Sequence, residues 1–352
     1  MPTSAIFAGT PMRAGMYESF YLRAVDPREP VGVWIRNTVH KRPGYAPVGS
    51  VWCTIFDARR GRPFMHKLTT PALSAPPDGW IEIGQAAAAR GAAWAADAGA
   101  QTDAGPEPAE GARLEPGLAK GRCGRASWTL RYIPQAPELR HLPREWLYRA
   151  PLPRTKLTSP APAARFDGTV ELEGETPLQV EGWRGMVGHN WGAEHAERWI
   201  WLHGIGFEGS PEAWLDVALG RIRIAGRLTP WVANGAVFLD GRMRRLGGLG
   251  ARGLRVDEGP DGAELELPGE GGLRLRARVV VPGEAAAGWR YADPDGGEHD
   301  VVNCSVARLQ LSVEAAGDGG ATRELTSTHG GAYELGMRER DHGVPIAPFA
   351  DG

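Results

Sequence analysis

Apolar and polar residues alternate in short runs along most of the chain. YESFYLRA (17 to 24), VGVWIRNTV (31 to 39), SVWCTIFD (50 to 57), ASWTLRYI (126 to 133) and GTVELEG (168 to 174) are rich in Val, Ile, Trp and Tyr and keep a period near two, which predicts strands. Beyond residue 197 the candidates crowd together: RWIWLHGIGFE, AWLDVALGRIRI, WVANGAVFLDG, LRVDEG, AELELPG, GLRLRARVVVPG, DVVNCSVARLQLSVE and RELTSTHGGAYELG. Turns such as LDGR, GPDGA and PGEGG separate them, where Gly supplies positive φ at little steric cost. An antiparallel meander that closes on itself hides its edges, so the pattern predicts an all-β protein with little helix.

Two stretches depart from the alternation. Residues 84 to 122 are dominated by Ala and Gly and read either as a lid or as a disordered insertion. Residues 142 to 164, LPREWLYRAPLPRTKLTSPAPAA, carry five Pro and read as an extended connection clamped to the surface, with EWLY as a single helical turn.

Composition narrows the class. A chain of 352 residues with 42% hydrophobic content can bury two domains or one large all-β domain. Its 40 basic and 42 acidic residues leave a formal charge of −2, so no global field recruits nucleic acid or an anionic membrane. The short basic cluster Arg242, Arg244 and Arg245 reads as a solvated hairpin end. Three widely spaced cysteines, Cys53, Cys123 and Cys304, argue against a disulfide framework and fit a reducing cytoplasm. The N-terminal MPTSAIFAGTPMRAGM lacks the basic and apolar regions of a signal peptide, and no run approaches a membrane span, so a soluble cytoplasmic protein without a transmembrane segment is expected.

Several motifs fail on context. GIGFEG (204 to 209) matches G-x-G-x-x-G, but the surrounding chain lacks alternating β and α units. His189, Glu194 and His195, with His203 as a conceivable fourth group, match neither H-E-x-x-H nor H-x-x-E-H, and no metal and no cofactor are expected.

The richest stretch is MVGHNWGAEHAERWIWLH (186 to 203). In a strand, Trp199, Trp201 and His203 share one face, which is either packed core or the wall of a cavity. Just upstream lie His189, Trp191, Glu194 and Glu197, whose polar tips each need a partner if buried.

GMVGHNWG (185 to 192) followed by ERWIWLHGIGFEG (197 to 209) resembles the signature of the tandem lipocalin-like superfamily, which includes tocopherol cyclases, hydroxyneurosporene synthase type carotenoid hydratases and fungal Diels-Alderases. AWLDVALG (213 to 220), NCSVARLQL (303 to 311) and GAYELG (331 to 336) extend the likeness over most of residues 15 to 340. The resemblance implies two tandem antiparallel β barrels or sandwiches, 1 to 196 and 197 to 352, with a Trp-Gly turn ending the first and the Trp-x-Trp strand opening the second. It implies binding of a hydrophobic isoprenoid or polyene-like molecule and acid-assisted cyclisation or hydration of a double bond. His189 and Trp191 match the family's His-x-Trp, and Trp214 and Asp216 its aromatic-x-Asp. Where that group carries Asp or Glu before the Trp-Gly, this chain has Asn190, which cannot donate a proton.

Asp216, between Trp214 and Val217, is then the candidate acid if an apolar pocket raises its pKa, with a surface or turn-capping carboxylate as the plain alternative. His189 would relay the proton or position water, and Asn190, Trp191, Glu194, Trp199, Trp201, His203 and Trp214 would line the ligand. Trp faces stabilise a carbocation by roughly 0.5 to 2 kcal/mol per ring. A carrier of a lipid, sterol or polyene would keep the pocket without chemistry, and a scaffold would use the rings only to cement two domains. A homodimer is compatible with either. Glu18 and Arg36 could form a buried pair or line the first barrel, although surface pairs are commoner. Tyr333 reads as a core ring with a satisfied hydroxyl, Glu334 as closing the second barrel, and Asn303 as a ligand or strand-edge group.

Overall fold

Two large antiparallel sheets account for the alternation in the computed structural model, which describes residues 3–77, 79–84, 110–224, 226–248, 250–314 and 322–349. The first sheet runs in the order Phe64–Thr70, Val48–Asp57, Val31–Lys41, Met16–Val25, Leu178–Gly192, Thr155–Leu172 and Ala126–Pro134, then through the shorter Leu118–Cys123, Gly111–Glu115, Ile81–Gly84 and Leu73–Ser74. The second runs Arg242–Gly247, Val232–Leu239, Trp214–Arg221, Arg198–Gly204, Thr322–Met337, Glu298–Glu314, Arg274–Val280, Gly262–Pro268 and Arg255–Gly259. Both follow one plan, in which the opening strand lies beside the closing strand: Met16–Val25 with Leu178–Gly192, and Arg198–Gly204 with Thr322–Met337. The chain passes from one sheet to the other over residues 193 to 197.

Every residue of Met16–Val25 and Val31–Lys41 is buried, which a sheet with one wet face cannot achieve. Alternation explains it: Phe20, Leu22 and Ala24 enter the core of the first half, while Tyr21 and Val25 pack against the second. Likewise Ile200 and Leu202 belong to the second core, and Trp201 on the opposite face meets Tyr21. Glycines let these rings lie against the neighbouring strand. A Cβ on Gly188 would sit 2.2 Å from the Tyr21 ring, and one on Gly336 would sit 2.1 Å from Trp199.

Some expectations need correction. GMVGHNWG does not form a turn but completes the Leu178–Gly192 strand. Residues 155 to 164 are not a surface clamp; they begin the Thr155–Leu172 strand, whose register shifts between Thr158 and Ala164 where Pro160 and Pro162 cannot donate to the ladder. In the Ala/Gly-rich stretch, residues 85 to 109 lie outside the described residues, but Gly111–Glu115 and Leu118–Cys123 are paired strands. EWLY is a single 3-10 turn, Glu145–Tyr148. No helix follows GIGFEG, since the next element is the strand Trp214–Arg221, so the dinucleotide motif has no structural support. Among the described residues no helix is long and apolar enough to cross a membrane.

Candidate functional site

The first buried polar group lies inside the first half. Glu18 shares its strand face with Phe20, and its fully buried carboxylate accepts hydrogen bonds from Ile6 N (2.9 Å), Phe7 N (2.8 Å) and His189 Nε2 (2.7 Å). His189 arrives on the neighbouring strand, paired opposite Phe20, and its ring stacks on Phe20 at 4.0 Å and on Trp191 at 4.6 Å. Trp80 stacks on the same Phe20, and Tyr148 leans on Trp191. A carboxylate, an imidazole and aromatic faces thus meet in one place. Glu18 does not pair with Arg36, as the sequence allowed; Arg36 bonds Ser19 Oγ and lies 3.9 Å over the Tyr291 ring.

The second group lies in the seam between the sheets. Trp201, His203 and Asp216 point there from adjacent strands, His203 opposite Asp216 in the ladder. Asp216 accepts from Ser159 Oγ (2.6 Å) and Trp201 Nε1 (3.1 Å), with His141 Nε2 3.4 Å away. His141 in turn meets Ser159 Oγ and Asn234 O, each at 3.1 Å. Burial pushes the Asp216 carboxyl upward, but the charge and hydrogen bond of His141, with help from His203 and Ser159, bring it below the ordinary carboxylate value. An apolar pocket that keeps Asp216 protonated is therefore not what surrounds it, and the residue is a poor proton donor.

His203 is equally committed. Its Nε2 donates to Pro162 O (2.8 Å) and its Nδ1 accepts from Arg23 Nη1 (2.9 Å), so it is neutral. Burial, then the Arg23 charge, pushes its pKa down to about 4. Arg23 is itself fully buried and also donates to Gly330 O and Ser305 O; burial lowers its pKa to about 9. The Trp201–His203 face is packed seam.

The remaining candidates separate. Trp199 is half-buried and donates to Glu334 Oε1 (2.9 Å), while Tyr291 OH and Asn303 Nδ2 each reach Glu334 Oε2 at 3.2 Å. Trp214 stacks on Phe238 in the second core, away from the Glu18 group. Glu194 pairs with Arg154, and Asn190 is half-buried with its Oδ1 lacking a hydrogen-bond partner among the described residues. His189, Glu194 and His203 thus go to three different partners, so the four-residue metal arrangement does not form; His195 joins Asp293 and His299 instead. Tyr333 is a core ring whose hydroxyl donates to Gly259 O (2.9 Å).

The sequence offers Glu18 as a partner of Arg36 or as a lining group of the first barrel but not as a partner of His189, and His141, Ser159, Asp293 and His299 carry no sequence signal for these groups. Glu18 had one available cue: a lone acid in YESFYLRA, on the Phe20 face of a strand.

No protein-family model matches the chain. An uncharacterized protein of Mycobacterium tuberculosis, Rv0493c, is 28% identical over 330 residues, covering 92% of this chain and 87% of its own length. Among solved structures, CghA superposes with a TM-score of 0.60 at 12% identity, covering 92% of this chain and 88% of CghA. Kievitone hydratase from Nectria haematococca gives 0.51 at 9% identity, covering 96% and 93%. An AttH candidate from Nitrosomonas europaea gives 0.50 at 13%, covering 95% and 97%. At these identities the likeness is one of fold: CghA, kievitone hydratase and the AttH candidate match the paired antiparallel sheets of this chain over most of its length.

Proposed function

We propose that the protein binds a hydrophobic, isoprenoid or polyene-like molecule and catalyses acid-assisted cyclisation or hydration of a double bond, with His189 moving the proton. The observation that carries this reading is the buried His189–Glu18 pair set against Phe20 and Trp191. In its imidazolium form His189 gives a ring proton to one alkene carbon, and Glu18 balances the charge the ring held. The cation left on the other carbon faces aromatic rings. Water adds to it and returns a proton to the imidazole, or an internal nucleophile closes a ring with the same proton loss. The acid role expected of Asp216 passes to His189, since Asp216 is held ionised by its partners. The similarity of fold to a kievitone hydratase, and to CghA, whose structure with Sch210972 gives a TM-score of 0.56, supports such chemistry without naming a substrate.

The test is turnover of a panel of polyenes and prenylated phenols in D2O. Deuterium should enter the product at the protonated carbon, and both His189→Ala and Glu18→Gln should lower the rate at least 100-fold, within the range general acid catalysis supplies. Unchanged turnover in His189→Ala ends the scheme. A compound that co-purifies and is bound but never converted favours the carrier.

A further inference from the structure

We propose that His195, Asp293 and His299 form a binding site for one divalent first-row transition metal ion of the Zn2+ or Co2+ class. His195 lies in the short link between the sheets, and the other two flank a turn that joins the strands Ala287–Ala292 and Glu298–Glu314. That turn is closed by Asp293 N to Gly297 O (2.6 Å) and Gly296 N to Asp293 O (2.9 Å). One donor atom from each of the three side chains lies within 4.8 Å of the others.

The buried atoms around this point are what call for an ion. His299 is fully buried, and among the described residues neither of its ring nitrogens has a hydrogen-bond partner; Asp293 Oδ2 and His195 Nε2 lack one as well. Such concentrations of unpaired buried polar atoms are rare in proteins. The group is otherwise held in place. Asp293 Oδ1 accepts from His195 N and Nδ1, both at 2.7 Å, His195 stacks on Tyr17 at 3.9 Å, and Trp199 stands edge-on to His299 at 5.0 Å.

Chemistry narrows the ion. Two imidazoles and one carboxylate suit Zn2+, Co2+ or Fe2+; Ca2+ and Mg2+ prefer all-oxygen sets, and softer ions prefer thiolates. Asp293 Oδ2 and His299 Nδ1 stand 3.8 Å apart, against roughly 3.3 Å for tetrahedral ligands with bonds near 2.0 to 2.1 Å, so side-chain rotation closes the gap. Three protein ligands leave a position for water. Arg338 Nη2, 4.0 Å from Asp293 Oδ2, opposes a cation, but Arg338 is 38% exposed, with its Nε on Glu197, and can swing outward.

The full-length chain, stripped with a chelator and dialysed, is titrated with Co2+ and followed by visible absorption, then competed with Zn2+. One ion per chain should bind with the strong d–d bands of a four- or five-coordinate site. His299→Ala should weaken binding at least 100-fold, and Arg338→Gln should tighten it several-fold. If His299→Ala does not fold by circular dichroism, His195→Gln, at a half-buried position, carries the same expected loss. Failure of the wild type to saturate at one equivalent, a weak octahedral spectrum, or equal affinity in the ligand variants overturns the site.

Discussion

The two halves use the same strand plan but fill their interiors differently. Inside the first, Glu18 and His189 sit among Phe20, Leu22 and Trp80; inside the second, the corresponding strands contribute Ile200, Leu202, Tyr333 and Leu335 to an apolar core. A buried carboxylate and imidazole cost desolvation that an aliphatic core avoids, and the first half carries that cost inside its core, whereas the second keeps its core apolar. The second half serves as the wall against which the first is set, and its polar groups, Asp216, His203 and Glu334, face out of its core.

The largest expected effect tests that asymmetry directly. Glu18→Ala leaves Ile6 N, Phe7 N and His189 without an acceptor and should cost about 3 to 5 kcal/mol in urea unfolding as well as abolish turnover. Leu202→Ala, a cavity in the opposite interior, should cost about 2 to 5 kcal/mol while the folded fraction keeps its rate; a matched loss of rate would dissolve the distinction.

The seam should reveal itself through pH. His203 is held near pKa 4 when folded, against 6.5 when unfolded, so below about pH 6.5 the unfolded chain binds the extra proton and stability falls until pH 4. That contribution is roughly 3 kcal/mol, and His203→Gln should flatten the slope in this window; an unaltered slope would assign it to other groups. Trp201→Phe removes the donor to Asp216 and should cost about 1.5 to 3 kcal/mol by thermal melting. Tyr333→Phe gives up one neutral hydrogen bond inside the second core, about 1 kcal/mol, with turnover unchanged.

Alternation makes the strands legible, and it places Trp199, Trp201 and His203 on one face. It could not say what that face meets. Glu18 and His189 are 171 positions apart, and Ser159 and Asp216 57 apart; the register of sheets, not local spacing, brings them together. Asp216 reads as an apolar-pocket acid because its immediate neighbours Leu215 and Val217 are apolar, while two of its partners, Ser159 and His141, come from the other half. The Pro-rich stretch reads as a surface clamp, but bulges let Pro160 and Pro162 ride within a strand.

Arg23 carries a consequence for the molecule as a unit. A guanidinium rooted in the first half ends on Ser305 O, Gly330 O and His203 of the second, with no exposure to water. Severed at the link, the first fragment would present a charged, unsatisfied stub, and the second would lose the guanidinium donor to Ser305 O, Gly330 O and His203 Nδ1. Exchanging one half for a foreign barrel would therefore strand a buried charge unless the replacement also supplied that arginine or an apolar substitute for it.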